Sequence, residues 1–225
     1  MTRAHSLPDL IIFDCDGVLV DSEIIGCSAL LRELAVLGHD FPLEAAMPVY
    51  RGGRMTEMLA HVQERFACVL PDGFETRVRS AAADMFRAEL KPIPGIEAAL
   101  DQISVPICVA SNGPRAKIEL SLTLTGLLPR FEGRIFSAYD VGHWKPDPTM
   151  YLTAARENGV DPARCIVVED SAPGTRAGIA AGMRVLAYAA ETPADELRAV
   201  GGEVFFDMAD LPRLISAPAP SPTTV

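Results

Sequence analysis

The stretch Leu10-Ile11-Ile12-Phe13-Asp14-Cys15-Asp16-Gly17-Val18 places two carboxylates directly after a run of four apolar residues. Such a run is typical of a strand that is buried on both faces. Because successive strand side chains point to opposite faces, Asp14 and Asp16 can lie on the same side of the chain. Two neighbouring carboxylates repel each other, and a bound divalent cation or a shared proton relieves that repulsion. Asp and Gly are also ordinary turn residues, so this stretch alone leaves a plain turn equally open.

Composition limits the class of protein to which the chain can belong. The 225 residues, 49% of them hydrophobic, suffice for one substantial core, alone or with a modest second domain. The 30 acidic and 20 basic residues give a formal net charge of -10, which argues against a nucleic-acid partner or a membrane surface. If the substrate is anionic, local positive charge must offset this field.

Cysteine usage and targeting signals favour a cytoplasmic protein. The five cysteines form no CxxC pair, so we expect reduced residues in the core. The only early apolar run is flanked by Asp9 and Asp14, which is unlike a signal peptide. No apolar stretch approaches the ~20 residues that span a bilayer. We therefore expect a cytoplasmic location.

Short apolar runs alternate with longer amphipathic segments along most of the chain. Six runs are predicted strands: Leu10 to Phe13, Ile107 to Ala110, Ile135 to Ser137, Cys165 to Val168, Val185 to Tyr188 and Val204 to Phe206. Four segments that end near a glycine are predicted helices: Arg115 to Leu124, Pro148 to Asn158, Ala172 to Ala181 and Pro193 to Val200. The alternation predicts an α/β fold with a doubly wound, mostly parallel sheet, whose ligands bind at the carboxyl ends of the strands.

One region interrupts the alternation. From Ser22 to Lys91 the apolar residues follow helical spacing, and no convincing strand is found. We predict a small all-helical cap inserted after the first strand, above the presumed site, from which the stiff segment Lys91-Pro92-Ile93-Pro94-Gly95 returns the chain to the core. The predicted domains are a core of residues 1–20 and 93–216, a cap of residues 21–92 and a disordered tail at 217–225.

Polar residues also follow the second predicted strand and precede the helix at Pro148. Ser111 and Asn112 open a turn before a helix, where a hydroxyl and backbone N–H groups suit a phosphate. Taken alone, an ordinary helix cap is the more common explanation of this turn. Lys145 lies in a short segment bounded by prolines, although most lysines are only solvated surface residues.

Two consecutive acids, Glu169 and Asp170, end another predicted core strand. Capping of the next helix by Asp170 or Ser171 explains one acid but not two. A metal site explains the pair better.

Together these stretches resemble the haloacid dehalogenase superfamily of phosphotransferases, and the resemblance covers nearly the whole chain. The first and fourth family motifs are similar to Asp14-Cys15-Asp16-Gly17-Val18-Leu19-Val20-Asp21-Ser22-Glu23 and to Val168-Glu169-Asp170-Ser171-Ala172-Pro173-Gly174. The helical insert resembles the family's small cap, and the chain is similar to the beta-phosphoglucomutase-like branch. Ser111-Asn112-Gly113-Pro114 and the segment from Tyr139 to Pro148 look most like bacterial 6-phosphogluconate phosphatases and related sugar-phosphate phosphatases.

The resemblance implies a Mg2+-dependent phosphomonoester hydrolase that acts on a small phosphorylated sugar or sugar acid. It makes Asp14 the nucleophile that forms an aspartyl-phosphate, and Asp16 the acid and base for the leaving alcohol and the attacking water. The implied Mg2+ ligands are Asp14, the backbone carbonyl of Asp16 and Asp170, with Glu169 bound directly or through water.

The implied phosphate site consists of Ser111, the backbone amide of Asn112 and Lys145, which would hold the phosphoryl oxygens where charge must be stabilised. Lys145 would also restrain Asp14 and Glu169 electrostatically. The resemblance thus gives Lys145 a place among the catalytic residues.

Substrate choice would lie with the cap, because the core contacts little beyond the phosphate. In Arg51-Gly52-Gly53-Arg54 the glycines permit an unusual loop, and a guanidinium there could pair with a carboxylate or phosphate of the substrate. Either arginine could instead be a solvated residue at a helix start; we favour Arg54 as the substrate-binding one. Asp21 and Ser22 are expected to form the hinge into the cap, with Ser22 also able to cap the next helix.

Other functions remain as alternatives. Mutases of this branch carry a histidine shortly after the hinge, whereas this chain has Ile24-Ile25-Gly26, which disfavours a phosphosugar mutase. Dehalogenases lack the second acid, so Asp16 favours phosphoryl chemistry. A receiver domain would place its acid pair before the phosphorylated Asp, and a catalytically silent binding protein of the same fold would not need all four motifs.

The expected partner is a small-molecule phosphomonoester. We expect no nucleic acid and no membrane as partners, and a monomer or weak homo-oligomer.

Overall fold

The computed structural model describes residues 7–218, and six strands form one sheet within them. In chain order they are β1 (Leu10–Phe13), β2 (Ile107–Ser111), β3 (Ile135–Ser137), β4 (Cys165–Glu169), β5 (Arg184–Tyr188) and β6 (Glu203–Phe205). All neighbours pair in parallel, in the order β3-β2-β1-β4-β5-β6. The predicted α/β fold with a doubly wound parallel sheet is confirmed, and every predicted strand is present to within one residue at each end.

The strand order determines where a ligand can bind. After β1 the chain builds β2 and β3 on one side, and it then crosses to the other side of β1 to form β4. Such a reversal leaves a crevice at the carboxyl ends of the two central strands. Phe13, the last residue of β1, pairs with Val168, so Asp14 and Glu169 leave the sheet side by side.

Both faces of the sheet are buried, because the strands are apolar at successive positions. Ile11 and Phe13 of β1 belong to one buried cluster, whereas Leu10 and Ile12 belong to the cluster on the opposite face. This is the burial expected for a parallel sheet covered by helices on both sides.

Twelve α-helices lie within residues 7–218. The first four are α1 (Glu23–Val36), α2 (Leu43–Tyr50), α3 (Met55–Phe66) and α4 (Phe74–Glu89); the others are α5 (Ile96–Asp101), α6 (Arg115–Leu124), α7 (Leu128–Phe131), α8 (Ala138–Val141), α9 (Thr149–Glu157), α10 (Ala172–Ala180), α11 (Ala194–Ala199) and α12 (Leu211–Ser216). The four helices predicted in the core correspond to α6, α9, α10 and α11, each to within one residue at its ends.

Helices α1 to α4 pack around a buried cluster of their own. Leu30, Leu34, Phe41, Val62 and Val78 belong to this cluster, and no residue of the sheet does. The segments that lead into and out of these helices run beside each other: Asp21 N donates to Lys91 O over 3.0 Å, and Ile93 N donates to Leu19 O over 3.0 Å. The division into a core and a cap at residues 20/21 and 92/93 stays a prediction, with which this pairing agrees.

Residues 1–6 of the predicted core and 219–225 of the predicted tail lie outside the described residues. At the other end of the described chain, Ala217 O accepts a hydrogen bond from Arg184 Nη1 over 2.8 Å. No helix in the described part of the chain is long and apolar enough to cross a membrane.

All five cysteines are free, as expected. Cys15, Cys27, Cys108 and Cys165 are buried, but Cys68 is only partly buried. The expectation of a core position is therefore wrong for Cys68, which lies in the loop between α3 and α4.

Candidate active site

The predicted site residues converge at the carboxyl ends of the central strands. Seven of them line a cavity of about 570 Å³ between the sheet and helices α1 to α4: Asp14, Asp16, Arg54, Ser111, Asn112, Lys145 and Asp170. The eighth, Glu169, is fully buried and does not line this cavity. The sequence therefore identified one contiguous site, although the roles of its residues remain predictions.

A buried lysine joins two of the carboxylates. Lys145 Nζ lies 2.9 Å from Asp14 Oδ1 and 2.5 Å from Glu169 Oε1. Burial lowers the pKa of Lys145, but the two carboxylates outweigh burial and raise it above its usual range. Lys145 is therefore a fixed positive charge rather than a solvated surface lysine.

Protein donors already occupy both oxygens of Glu169. Oε1 accepts from Lys145 Nζ and, over 2.8 Å, from Tyr151 Oη. Oε2 accepts from the N–H of Asp170 over 3.0 Å, the N–H of Ser171 over 3.0 Å and Ser171 Oγ over 2.9 Å. Burial raises the pKa of Glu169, but Lys145 and these donors outweigh burial and lower it, so the side chain is held as a carboxylate.

Close packing around the acids requires two glycines. A Cβ on Gly174 would lie 1.8 Å from Glu169 Oε1, and a Cβ on Gly17 would lie 2.1 Å from Asp170 Oδ2. Gly17 also has a φ of +73°, which side-chain-bearing residues rarely adopt. The glycines of the first and fourth motifs thus leave room for the carboxylates.

Asp14, Glu169 and Asp170 form a cluster that could hold a metal ion. One carboxylate oxygen from each residue lies within 4.8 Å of the others, and all three residues are buried. Burial raises the pKa of Asp14 to about 7, with Lys145 opposing this and Glu169 adding to it. Burial and the charge of Glu169 raise the pKa of Asp170 well above its usual value.

The donor set of this cluster fits a hard divalent cation. Asp14 Oδ1 is buried, and no donor in residues 7–218 reaches it with hydrogen-bond geometry, although Lys145 lies nearby. Buried carboxylate oxygens that repel one another and lack donors are suited to an ion such as Mg2+. The oxygens of Glu169 are engaged, so Asp14 and Asp170 are the better placed of the three to contact the ion.

The loop after β2 supports the Lys145 segment. Asn112 Oδ1 accepts the backbone N–H of Lys145 over 2.9 Å, and Ser111 Oγ accepts the N–H of Gly113 over 3.0 Å. Neither side chain caps α6, whose first residue follows Pro114, so the helix-cap explanation of this turn is wrong. Ser111 can still donate its own hydroxyl hydrogen to a ligand in the cavity.

Helix capping was also an alternative explanation for Ser171 or Asp170 and for Ser22, and the outcome differs between these segments. Ser171 Oγ accepts the N–H of Gly174 and caps α10, so Asp170 is not needed as a cap. Ser22 precedes α1 but makes no capping hydrogen bond, and its hydroxyl donates to Asp16 Oδ1 instead. The cap suggested for Ser22 is therefore wrong: its backbone lies in the αR region rather than in the extended conformation typical of a capping residue, and its side chain is turned to Asp16.

Asp16 has a second partner that the sequence analysis missed. Lys117 Nζ lies 2.8 Å from Asp16 Oδ1, the oxygen to which Ser22 also donates. Burial raises the pKa of Asp16, but the charge of Lys117 and these two hydrogen bonds outweigh burial and lower it. The scarcity of lysine was an available signal, since the chain has only three, at positions 91, 117 and 145.

Two arginines on the cap side contact an aromatic pair of the core. The guanidinium of Arg54 lies 4.3 Å from the ring centroid of Trp144, and Arg79 Nη2 donates to Tyr139 Oη over 2.8 Å. The rings of Tyr139 and Trp144 pack edge to face, with centroids 5.4 Å apart. Sequence spacing alone gave no sign of these contacts, because they join segments that are distant in the chain.

Arg51 and Arg54 both keep an unused donor at the cavity. Arg51 Nη2 pairs with Glu191 over 3.0 Å, and Arg54 Nη1 lies 3.6 Å from Glu57. The Nε–H of each arginine is buried and finds no acceptor within residues 7–218. Both residues also line the cavity, so their guanidinium groups can donate hydrogen bonds to an anionic group of a ligand.

The balance of charge around the cavity is opposite to that of the whole protein. Its lining has six basic side chains against four acidic ones: Arg51, Arg54, Arg79, Arg87, Lys117 and Lys145 against Asp14, Asp16, Glu23 and Asp170. The chain as a whole carries a net charge of -10. This local excess of cations is what an anionic substrate would need.

A family model describes most of this chain, including every residue of the candidate site. The model of the haloacid dehalogenase-like hydrolases matches residues 8–182. The chain belongs to this family. Solved structures that share its fold include beta-phosphoglucomutase-like proteins, as expected from the resemblance.

Individual relatives agree with this family and with the predicted enzyme class. The chain is 35% identical over 184 residues to the 6-phosphogluconate phosphatase of Escherichia coli strain K12, covering 81% of this chain and 83% of that protein. It is 31% identical over 198 residues to hexitol phosphatase B of the same strain, covering 86% and 89%. The prediction of a phosphatase of this family is confirmed.

A solved structure matches nearly the whole described fold. The crystal structure of a conserved haloacid dehalogenase-like protein of unknown function from Agrobacterium tumefaciens strain C58 superposes with a TM-score of 0.81 at 36% identity. The match covers 92% of this chain and 97% of that one, so the helical insert is part of the shared architecture.

Replacing Gly174 by Ala should lower the free energy of unfolding by about 1–3 kcal/mol, the usual cost of overpacking. The added methyl group would overlap the Glu169 carboxylate, which is held by five donors. Gly26→Ala is the matched control, because a Cβ there meets nothing within 4 Å and the residue lies in α1. The control should gain up to about 1 kcal/mol from helix propensity. Denaturant unfolding measures the free energy of unfolding of both variants. Equal stabilities of Gly174→Ala and Gly26→Ala would contradict the packing argument.

Proposed function

We propose that this protein is a Mg2+-dependent phosphomonoester hydrolase that acts on a small phosphorylated sugar or sugar acid, such as 6-phosphogluconate, through an aspartyl-phosphate. The observation that carries the proposal is the pair of Asp14 and Lys145 at the candidate metal-binding cluster, beneath a cavity whose charged lining residues are more often basic than acidic. The E. coli relative named for 6-phosphogluconate supports a sugar acid as substrate.

In the first step, an oxygen of Asp14 attacks the phosphorus. The bond between phosphorus and the ester oxygen breaks, and its electron pair goes to the leaving oxygen. Asp16 enters this step in its protonated form and donates its proton to that oxygen, so the product leaves as a neutral alcohol. Burial raises the pKa of Asp16, but the charge of Lys117 and the two hydrogen bonds outweigh burial and lower it, which makes this group a stronger acid than a free aspartic acid. Ser111 and Lys145 hold the phosphoryl oxygens, where a hydroxyl and a fixed positive charge stabilise the transition state.

In the second step, water attacks the phosphorus of the aspartyl-phosphate. Asp16, now a carboxylate, takes a proton from this water, and the bond between phosphorus and the Asp14 oxygen breaks. Inorganic phosphate leaves, and Asp14 returns to its initial state. One side chain thus serves as acid in one half-reaction and as base in the other.

Asp14, Asp170 and the backbone carbonyl of Asp16 would hold the metal, with Glu169 acting through water. A bound Mg2+ would neutralise the carboxylates and orient the phosphoryl group for in-line attack. Glu169 itself fixes Lys145 and the start of α10 through its five hydrogen bonds.

Two features favour hydrolysis over a mutase reaction. Ile24-Ile25-Gly26 stands where the related mutases carry histidine. No histidine lines the cavity within the described residues. A catalytically silent binding role is disfavoured because each implied catalytic side chain is present and close to its neighbours. The expected monomer or weak homo-oligomer and the cytoplasmic location stay predictions.

A panel of phosphorylated sugars, sugar acids and small carboxylates should reveal turnover with Mg2+ and none with EDTA. Asp14→Asn should lower turnover by at least about 10⁴-fold, because the amide is a poor nucleophile. Phosphate release measures both the effect of EDTA and the effect of Asp14→Asn. A circular-dichroism spectrum of Asp14→Asn checks that the variant is folded. Failure to hydrolyse any phosphomonoester with metal present would overturn the proposal.

Arg54→Ala should lower kcat/KM for a phosphorylated sugar acid by about 10- to 100-fold, the value of a charge-assisted hydrogen bond. The same variant should change kcat/KM for p-nitrophenyl phosphate by less than about 3-fold, because that substrate has no second anionic group. Arg65→Ala is the matched control, since Arg65 lies in α3, the helix that begins directly after Arg54, but stacks on Phe41 outside the cavity. Equal losses on both substrates would exclude Arg54 from substrate choice.

A further inference from the structure

The steps above leave the function of Lys117 unexplained. This residue is the third of α6, and its ammonium lies 2.8 Å from Asp16. Its aliphatic chain passes beside Gly113 in the loop after β2. The chain has only three lysines, and two of them, Lys117 and Lys145, lie in the site. Each of these two contacts a different aspartate of the first motif.

The two donors to Asp16 engage the same oxygen. Lys117 Nζ and Ser22 Oγ both donate to Oδ1, and no donor within residues 7–218 reaches Oδ2. A carboxyl group fixed through one oxygen has a defined orientation, and its other oxygen is free to carry a proton. This is the arrangement that an acid and base must have if it is to meet the leaving oxygen and then the water.

We propose that Lys117 is a positioning residue that fixes Asp16 through Oδ1 and leaves Oδ2 to exchange the proton. The inference rests on the proposed function, because it assumes that Asp16 is the acid and base of a phosphatase. Lys117 remains charged throughout and transfers no proton itself.

The environment of Lys117 supports this role. The ammonium also lies 5.7 Å from the ring centroid of Phe86, on α4. Burial lowers the pKa of Lys117, but the charge and hydrogen bond of Asp16 and, at longer range, the charge of Glu23 together outweigh burial and raise it. A charged donor that pairs with a carboxylate and lies close to an aromatic ring is held in place.

A structural contact alone would predict a different outcome from a positioning role. If Lys117 only joined α6 to α4, its removal would lower stability or affect every substrate alike. A residue that acts through Asp16 matters most when the leaving group needs a proton, and little when the leaving group is a stable anion.

The test is the dependence of kcat/KM on leaving-group acidity across substituted phenyl phosphates, with Mg2+ present. This ratio reports the steps up to loss of the phenol, so the later water attack does not enter it. Lys117→Met should lower kcat/KM by about 10²-fold for phenyl phosphate, the loss typical of a misplaced general acid. For p-nitrophenyl phosphate the loss should be less than about 3-fold. Lys117→Arg, which keeps the charge, should recover at least about 10-fold of the loss on phenyl phosphate.

The double variant identifies the residue through which Lys117 acts. Asp16→Asn should also make kcat/KM depend more steeply on leaving-group acidity. The double variant Asp16→Asn/Lys117→Met should show the same steepness as Asp16→Asn alone. Arg156→Met is the control, because it removes a cation from a side chain that is 72% exposed on α9. This control should leave the dependence unchanged.

Each result supports or overturns the inference. Three results would overturn the positioning role. They are an unchanged dependence of kcat/KM on leaving-group acidity in Lys117→Met, a rise in the activity of this variant, and losses that multiply in the double variant. In each of these cases the wild-type phosphatase activity and its loss in Asp14→Asn would stand. Absence of any wild-type turnover would instead show that the proposed function itself is wrong.

Discussion

The ion pairs between Lys145 and the buried carboxylates are the interaction on which the rest of the site depends. Three acids, Asp14, Glu169 and Asp170, are buried together at the ends of β1 and β4, and one lysine is buried with them. Buried charges are costly unless they are paired and hydrogen-bonded. Glu169 meets this condition with five donors, whereas Asp14 and Asp170 leave an excess of negative charge that a cation can neutralise.

Much of the surrounding structure follows from this excess. Gly17 and Gly174 lack the side chains that would overlap the acids, and Ser171 both donates to Glu169 and caps α10. Asn112 holds the backbone of Lys145 in place. The two consecutive acids of the fourth motif thus have different surroundings: one is enclosed by protein donors and the other faces the cavity.

The loop between α2 and α3 adds positive charge to the site. Arg51 and Arg54 lie in the loop between α2 and α3, and each presents a buried Nε–H without an acceptor in the described chain. Arg54 also stacks on Trp144, the only tryptophan of the chain, so the fluorescence of this residue can report on the contact between the α2–α3 loop and the segment before α9. A substrate with a second anionic group would pair with these arginines, which line the cavity.

The sequence predicted what depends on local pattern. Apolar runs of strand length located all six strands, and the polar residues that follow β1, β2 and β4 located most of the site, because parallel strands bring their carboxyl ends together. It could not predict contacts made by side chains from distant helices. Lys117 reaches Asp16 across 101 residues and Arg79 reaches Tyr139 across 60, and no spacing rule connects them. The Ser22 cap was wrong because the backbone conformation of Ser22 and the direction of its side chain, toward Asp16, are set by the folded site rather than by the local sequence.

The central claim is that Asp14 carries the phosphoryl group during turnover. The most direct measurement is rapid acid quenching of the enzyme with a phosphomonoester and Mg2+, followed by mass spectrometry of the peptide that contains Asp14. The account predicts one phosphoryl group on Asp14 of the wild-type protein and none on Asp14→Asn. A phosphoryl group on another residue, or hydrolysis that continues in Asp14→Asn, would contradict it.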